Sequence, residues 1–414
     1  MEYFDGLETR DPEMREAALM AALPEVLAQA KAKAPGFARI LEGVDPAAVN
    51  SRAALAQLPV TRKSALIELQ RKSPPLGGLA ALPPGAAAQL YASPGPIFEL
   101  EAARGDYWRA ARALYAAGFR KGDVVHNAFS YHLSPGGWIL HSGARALGCA
   151  VIPAGVGNSE QQVQAIDQLR PGGYTGTPDF LKVLLDKAME LELDAGSLTK
   201  ALVGGAALPP SLRQEFWERG VAVLQCYATA DLGLVAYETA VEEAVGEGMI
   251  LDEGIVAEIV RPGSGEPVGE GEVGEIVVTT LTPEYPLVRF GTGDLSAVLP
   301  GQSACGRTNT RIRGWMGRAD QTTKVKGLFV HPEQVAEVQR RHPELLRARL
   351  EVEREGQNDV MTLRCEVETA AEGLAGAVRE TLTEVCKMKG EVTLCAPGEL
   401  PNDGKVIADL RSYE

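Results

Sequence analysis

Between residues 107 and 226 the chain alternates short apolar runs with amphipathic segments of helical period, and no other feature restricts its fold so tightly. Residues 123–129, 149–153, 201–203 and 221–226 read as strands. Residues 107–117, 161–169, 180–190 and 211–218 read as helices, the second capped by Asn158 or Ser159. Strands and helices in alternation give βαβ units, and βαβ units give a doubly wound, mostly parallel sheet with helices on its faces. Ligands of such sheets bind at the carboxyl ends of the strands. The loops after these strands are therefore the first places to seek a site.

The rhythm changes on either side. Residues 11–35 have helical spacing, with Pro24 placed to kink or split the helix, and 73–85 read as loop. Beyond Tyr237, residues 255–260, 275–281, 287–290 and 296–299 read as strands joined by Gly and Pro turns, a meander or small barrel. A helix at 332–340, a hairpin around 356–359, a helix at 371–387 and a strand at 391–395 then make a small α+β unit. The expected organisation is an N-terminal domain of residues 1–318, with a β subdomain from 250 to 318, and a C-terminal domain of residues 319–414.

Composition narrows the function. The net charge of −14 argues against nucleic acid as the main partner, because phosphate backbones demand a basic surface. It leaves room for a local basic pocket. The six cysteines are scattered without a CxxC pair, so neither a disulfide framework nor a closed zinc site is expected. Cys305 is then a buried thiol. The first ten residues carry Glu2, Asp5 and Glu8 and no apolar run, which is unlike a signal peptide. With no run of about 18 apolar residues, no membrane span is expected and a cytoplasmic location follows. The acidic residues Glu242, Glu243, Glu247, Asp252 and Glu253 read as a solvated face.

Four stretches carry a resemblance. The first is Gly274-Glu275-Ile276-Val277-Val278-Thr279-Thr280, followed by Arg289-Phe290-Gly291-Thr292-Gly293-Asp294. The second is Gly317-Arg318-Ala319-Asp320, then Lys324-Val325-Lys326-Gly327. The third is Leu400-Pro401-Asn402-Asp403-Gly404-Lys405. The fourth is a set of strand-end loops at 127–137, 204–209 and 227–231. Together they resemble the phenylacetate–coenzyme A ligase family, within the adenylate-forming enzymes that include acyl-CoA synthetases, adenylation domains and luciferases.

The resemblance implies an AMP-forming ligase that joins an aromatic or other small carboxylic acid to coenzyme A through an acyl-adenylate. It implies ATP or AMP, Mg²⁺ and coenzyme A as cofactors. The partner is a small acid, with no nucleic acid and no membrane, and a homodimer is compatible. Asp294 would accept the ribose hydroxyls, as an acceptor-only carboxylate can. Tyr227 would stack on adenine, and Asp231, in place of the family's Glu, would hold magnesium. Gly205, Ala206, Thr229, Ser93 and Arg318 complete the nucleotide-binding set. Asp320 would be the hinge of a mobile C-terminal lid, since a few residues absorbing backbone change make a hinge. Lys405, 85 residues further on, would bring a mobile positive charge to the transferring phosphoryl group. Phe129, Tyr131, His132, Trp138, Ala207 and Leu208 would line a flat apolar acid pocket.

One departure from the pattern is chemical. Where the family has a loop rich in Ser, Thr, Gly and Lys, this chain reads Tyr91-Ala92-Ser93-Pro94-Gly95-Pro96-Ile97-Phe98-Glu99. A phosphate loop works through backbone N–H groups, hydroxyls and a cation. Here two prolines lack the N–H, one hydroxyl remains, and Glu99 would repel phosphate. Arg104 is a candidate replacement cation. The alternative function is thus a degenerate member that binds a preformed acyl-adenylate or acyl-CoA, or acts as an acyl transferase.

Overall fold

The computed structural model describes residues 2–93, 97–242, 244–319, 321–325, 328–355 and 358–411. Pro94–Pro96 of the shortened loop, Glu243, the hinge candidate Asp320, and Lys326-Gly327 lie outside the described residues. The chain divides into two compact units. The first holds residues Met1–Ala257, Val278–Phe290 and Leu299–Gly314, and the second holds Glu258–Val277, Gly291–Val298 and Trp315–Glu414.

The first unit is built on the parallel sheet the alternation predicts. Its strands run side by side in the order Ala150–Pro153, Val124–Asn127, Gly173–Gly176, Lys200–Val203 and Ala222–Thr229, all parallel. Gly233–Tyr237, Met249–Leu251 and Arg311–Ile312 extend it antiparallel. The sequence pattern missed the added strands, whose apolar runs are short. Helices Ser159–Leu169, Pro178–Glu190 and Pro210–Glu218 connect the parallel strands. Val163, Ile166, Leu181, Leu184 and Phe216 from these helices bury against Tyr174, Ala201, Val203 and Val223 of the sheet. Burial of that many large apolar side chains, at about 1.5–3 kcal/mol each, is what fixes the strand ends in place.

The N-terminal helix Pro12–Lys33 starts where Asp11 caps the amides of Glu13 and Met14. Pro24 does not split it, because Leu23, Val26 and Leu27 on its inner face are buried on either side. Other expectations need correction. Asn158 sits at the start of its helix in a left-handed conformation and makes no side-chain cap. The helix expected at 107–117 begins only at Ala111, since Asp106 and Arg109 both take positive φ and turn the chain. Asp106 instead accepts from the Ala111 amide. The strand expected at 287–290 is interrupted by Arg289 at φ 44°, whose buried guanidinium donates to the Ala56 and Leu58 carbonyls. The strand there runs Phe290–Ser296. The acidic face at 242–253 is solvated only in part. Asp252 and Glu253 are buried, Asp252 against Arg109 at 2.8 Å and Glu253 against Arg10 at 2.7 Å. Two stretches gave no warning in the sequence: the helix Lys63–Lys72 and the hairpin of Ala87–Ser93 with Ile97–Ala102.

The second unit has its own core. A sheet in the order Glu391–Cys395, Asn358–Val367, Leu345–Glu355 and Ile407–Asp409 carries the helices Pro332–Arg341 and Leu374–Cys386. The long hairpin is the one expected around residue 356, and the Ile407–Asp409 strand is an addition. Val335, Val338, Val378 and Leu382 pack against Leu350, Val352, Met361 and Leu363. A smaller cluster of Val273, Leu295, Ala297 and Ala319 lies in the same unit. The described cysteines are free thiols, Cys305 among the buried ones. No helix of the described residues is long and apolar enough to cross a membrane.

Candidate active site

In the first unit, the loops after Val124–Asn127 and Lys200–Val203 flank the end of the strand Gly173–Gly176. The first loop is shaped by Asn127. Its amide donates to the Gly137 carbonyl at 2.8 Å and to the Tyr131 hydroxyl at 2.7 Å, and its oxygen accepts from the Phe129 amide. That buried amide sets Tyr131 edge-on to Trp138, with ring centroids 5.2 Å apart, and 3.1 Å from His141 Nδ1. Burial holds the Tyr131 phenol above its ordinary value, so it is a neutral hydroxyl. The second loop brings Gly205 beside the Phe129 ring, and Leu208 packs into the core below. Gln225 donates to the Ala206 carbonyl at 3.1 Å. Tyr131 thus neighbours Trp138, and Phe129 neighbours Gly205, while His132 and Ala207 are exposed.

Tyr227 is buried on the strand Ala222–Thr229, next to a register shift. Thr229 Oγ1 accepts from the Leu232 amide and closes the turn that carries Asp231. Asp231 is buried. Its Oδ2 pairs with Lys63 Nζ at 2.9 Å, and its Oδ1 has no hydrogen-bond partner among the described residues. An uncommitted carboxylate oxygen fits a hard cation. Lys63 lies 168 residues from Asp231, at the start of the helix Lys63–Lys72, where no local spacing could flag it. Arg104, in contrast, pairs with Glu284 and lies over the Tyr107 ring.

Near this pair stands the hairpin of Ala87–Ser93 with Ile97–Ala102. Ser93 Oγ donates to Glu99 Oε1 at 2.7 Å, and Glu99 Oε2 is buried without a partner among the described residues. Burial, then the negative charge of Asp231, pushes the Glu99 carboxyl up to about 8. The surviving hydroxyl is thus committed to a neighbouring acid.

In the second unit, Asp294 sits on the strand Phe290–Ser296 and bridges to Arg318. Its Oδ1 accepts from Arg318 Nη1 at 2.8 Å and from the Trp315 indole at 3.0 Å. Gly293 has φ 72°, and a Cβ there would lie 2.7 Å from Arg318 Nη2. The glycine of the Thr-Gly-Asp motif therefore makes room for the arginine that steadies the acid. Lys405 follows a turn in which Asp403 accepts from its amide at 3.0 Å. Its side chain is exposed, and it lines a small open pocket with Arg261, Arg347 and Arg349. Gly404, just before it, packs against Leu295, the neighbour of Asp294. Trp315, Asn127 and Lys63 were not foreseen. Lys63 and Trp315 act from outside the recognised motifs, and Asn127, inside the 127–137 loop, acts through local bonds to Phe129, Tyr131 and Gly137.

A family model described as AMP-binding enzyme matches residues 107–282. Phenylacetate-coenzyme A ligase of Thermus thermophilus is 32% identical, covering 99% of this chain and 100% of that protein. The phenylacetate-coenzyme A ligase of Aromatoleum evansii is 30% identical over 86% of this chain and 84% of its own. Among solved structures, an open conformation of 2-hydroxyisobutyryl-CoA ligase in complex with 2-HIB-AMP and CoA aligns with a TM-score of 0.70. It is 25% identical and covers 95% of this chain and 90% of that one. Nothing in these likenesses supports the degenerate alternative. The chain belongs to the phenylacetate–coenzyme A ligase family of adenylate-forming enzymes.

Proposed function

We propose that this chain, an AMP-forming acid–coenzyme A ligase by its family, activates an aromatic carboxylic acid. The acid carboxylate attacks the α-phosphorus of ATP, pyrophosphate leaves, and an acyl-adenylate forms. The thiol of coenzyme A then attacks the acyl carbonyl, and AMP leaves with the bonding electron pair. The observation that carries the aromatic reading is the Tyr131–Trp138 pair held by Asn127 at a strand end, with the Phe129 ring beside Gly205 of the next loop. Edge-to-face aromatic rings with one neutral hydroxyl favour an aryl group over a short polar acid.

The remaining residues take roles by the same reading. Asp294 holds the ribose hydroxyls, with Arg318 and Trp315 fixing its carboxylate. Tyr227 meets adenine, and Gly205 and Ala206 lie along the nucleotide. Asp231 would hold magnesium, which when bound with the nucleotide supplies positive charge to the phosphates. Lys63, already at Asp231, is the cation on hand where the phosphate loop is shortened. Lys405 places its charge on the phosphoryl group in the first half-reaction. Residues 319–414 act as a lid that turns about Asp320 between the two half-reactions.

Pyrophosphate release with a panel of aryl and alkyl acids tests the reading. Release with aryl acids, followed by thioester formation on adding coenzyme A, is the expected result. Release with short alkyl acids alone overturns the aromatic assignment. AMP binding with no pyrophosphate release from any acid overturns the ligase reaction itself.

A further inference from the structure

The segment that ends in Lys405 is held by two kinds of contact, both inside the second unit. Gln321 grips it from within the C-terminal part of the chain. Its Nε2 donates to the Gly404 carbonyl at 3.0 Å, and its Oε1 accepts from the Val406 amide at 2.6 Å and the Ile407 amide at 2.9 Å. Asp403 adds the Lys405 amide at 3.0 Å and Arg349 Nη1 at 2.6 Å. All these partners follow residue 318 in the chain.

Asn402 reaches elsewhere. Its Oδ1 accepts from the Val273 amide at 2.9 Å, and its Nδ2 donates to the Gly271 carbonyl at 3.1 Å. Both partners precede Asp294 in sequence and lie in the turn that leads into the strand Gly274–Thr280. The next contact confirms how close the approach is. Gly404 has φ 69°, and a Cβ there would lie 2.7 Å from Val273 Cγ1 and 3.1 Å from Leu295 Cδ2. A movement of the chain beyond residue 318 against that turn and strand breaks the Asn402 pair and the Gly404 packing. It leaves every Gln321 bond intact.

We infer that Asn402 is the positioning residue for Lys405, its two bonds to the Gly271–Val273 turn holding the lysine where adenylation needs it and letting go for thioester formation. This rests on the role given to Lys405 above. Asn402 is exposed, so its loss opens no cavity and exposes the turn only to water. The consequence is a shift of population between docked and undocked states, not unfolding.

The two half-reactions separate the effect. ATP–pyrophosphate exchange reads adenylation, and thioester formation from synthetic acyl-adenylate with coenzyme A reads the second step. In Asn402→Ala the exchange rate should fall about tenfold, the loss expected for one or two side-chain hydrogen bonds to backbone, with the KM for the acid unchanged. Its thioester rate should hold or rise. Asn402→Asp keeps an acceptor for Val273 and loses the donor for Gly271, so its exchange rate should fall between the two. Equal losses in both half-reactions, or no loss in exchange, overturn the inference. Lys405→Ala runs alongside. If it leaves exchange intact, the role of Lys405 fails and takes this inference with it. If it abolishes exchange while Asn402→Ala matches wild type, the positioning role alone fails.

Discussion

The Ser93–Glu99 hairpin and the Leu400–Lys405 segment are both places where the family resemblance puts groups that face phosphate, and they have fared in opposite ways. In the second, the motif survives with the backbone that presents it: Asp403 and Gln321 bond the turn, and Gly404 fits a space no side chain could share. In the first, the residues have turned to one another. Ser93 donates to Glu99, and an acid side chain is buried where phosphate would need an array of donors. A lysine from a distant helix stands at Asp231. The contrast separates two sorts of chemistry. A function that needs an atom at a defined point on a turn is tied to its local sequence. A function that needs positive charge within a few ångströms can be supplied from anywhere the fold brings close, because Coulomb attraction has no preferred direction.

The sharpest test of the surviving side is Lys405→Ala. It should lower the adenylation half-reaction by about 10²–10³, the usual cost of removing one group aimed at developing charge, with thioester formation from preformed adenylate retained. Equal loss in both steps would erase the distinction between the two regions. On the altered side, Lys63→Ala should raise the KM for ATP about tenfold, since it leaves Asp231 buried with no counter-charge. Arg104→Ala, whose guanidinium is engaged with Glu284 and Tyr107, should leave that KM unchanged. The reverse pattern would put the replacement charge on the hairpin's own flank. The smallest effect concerns Glu99. Its folded carboxyl titrates at about 8 against an ordinary value of 4.5. Below the lower value both folded and unfolded chains carry the proton, and nothing is lost. Between the two values the unfolded chain ionises first, so stability falls as pH rises and the full cost is present above the higher one. Glu99→Gln, melted in the presence of a chelator, should therefore gain roughly 2–5 °C at about pH 8.5 and almost nothing near pH 4.5.

Much of the fold was legible. Alternating strands and helices are a periodic signal, and the parallel sheet from Val124 to Thr229 follows from it because burial enforces the period. Boundaries were lost where a backbone exception intervened, as at Asp106, Arg109 and Arg289, whose positive φ no residue pattern announces. The acids Asp252 and Glu253 looked solvated because their arginine partners, Arg109 and Arg10, sit more than a hundred residues away. The candidates Asp294 and Lys405 could be named only because the motifs around them resemble a known family; by themselves a Thr-Gly-Asp turn and a lysine in a turn say little. Lys63 and Trp315 could not, since each matters only through what the tertiary fold sets against it, and Asn127, though it opens a recognised loop, has a role that only its bonds to Tyr131 and Gly137 disclose.

The indole that donates to Asp294 also makes the site optically addressable. Trp315 is about half exposed, at 54%, and its N–H is tied to the carboxylate that the ribose would engage. A ribose arriving at that oxygen competes with the indole for the same lone pairs, so its arrival should register as a change in emission. Of the four tryptophans, Trp315 is the one whose bond to the acid is described. Titrating AMP against Trp315→Phe and the native chain would read occupancy of Asp294 by light, with no chemistry taking place.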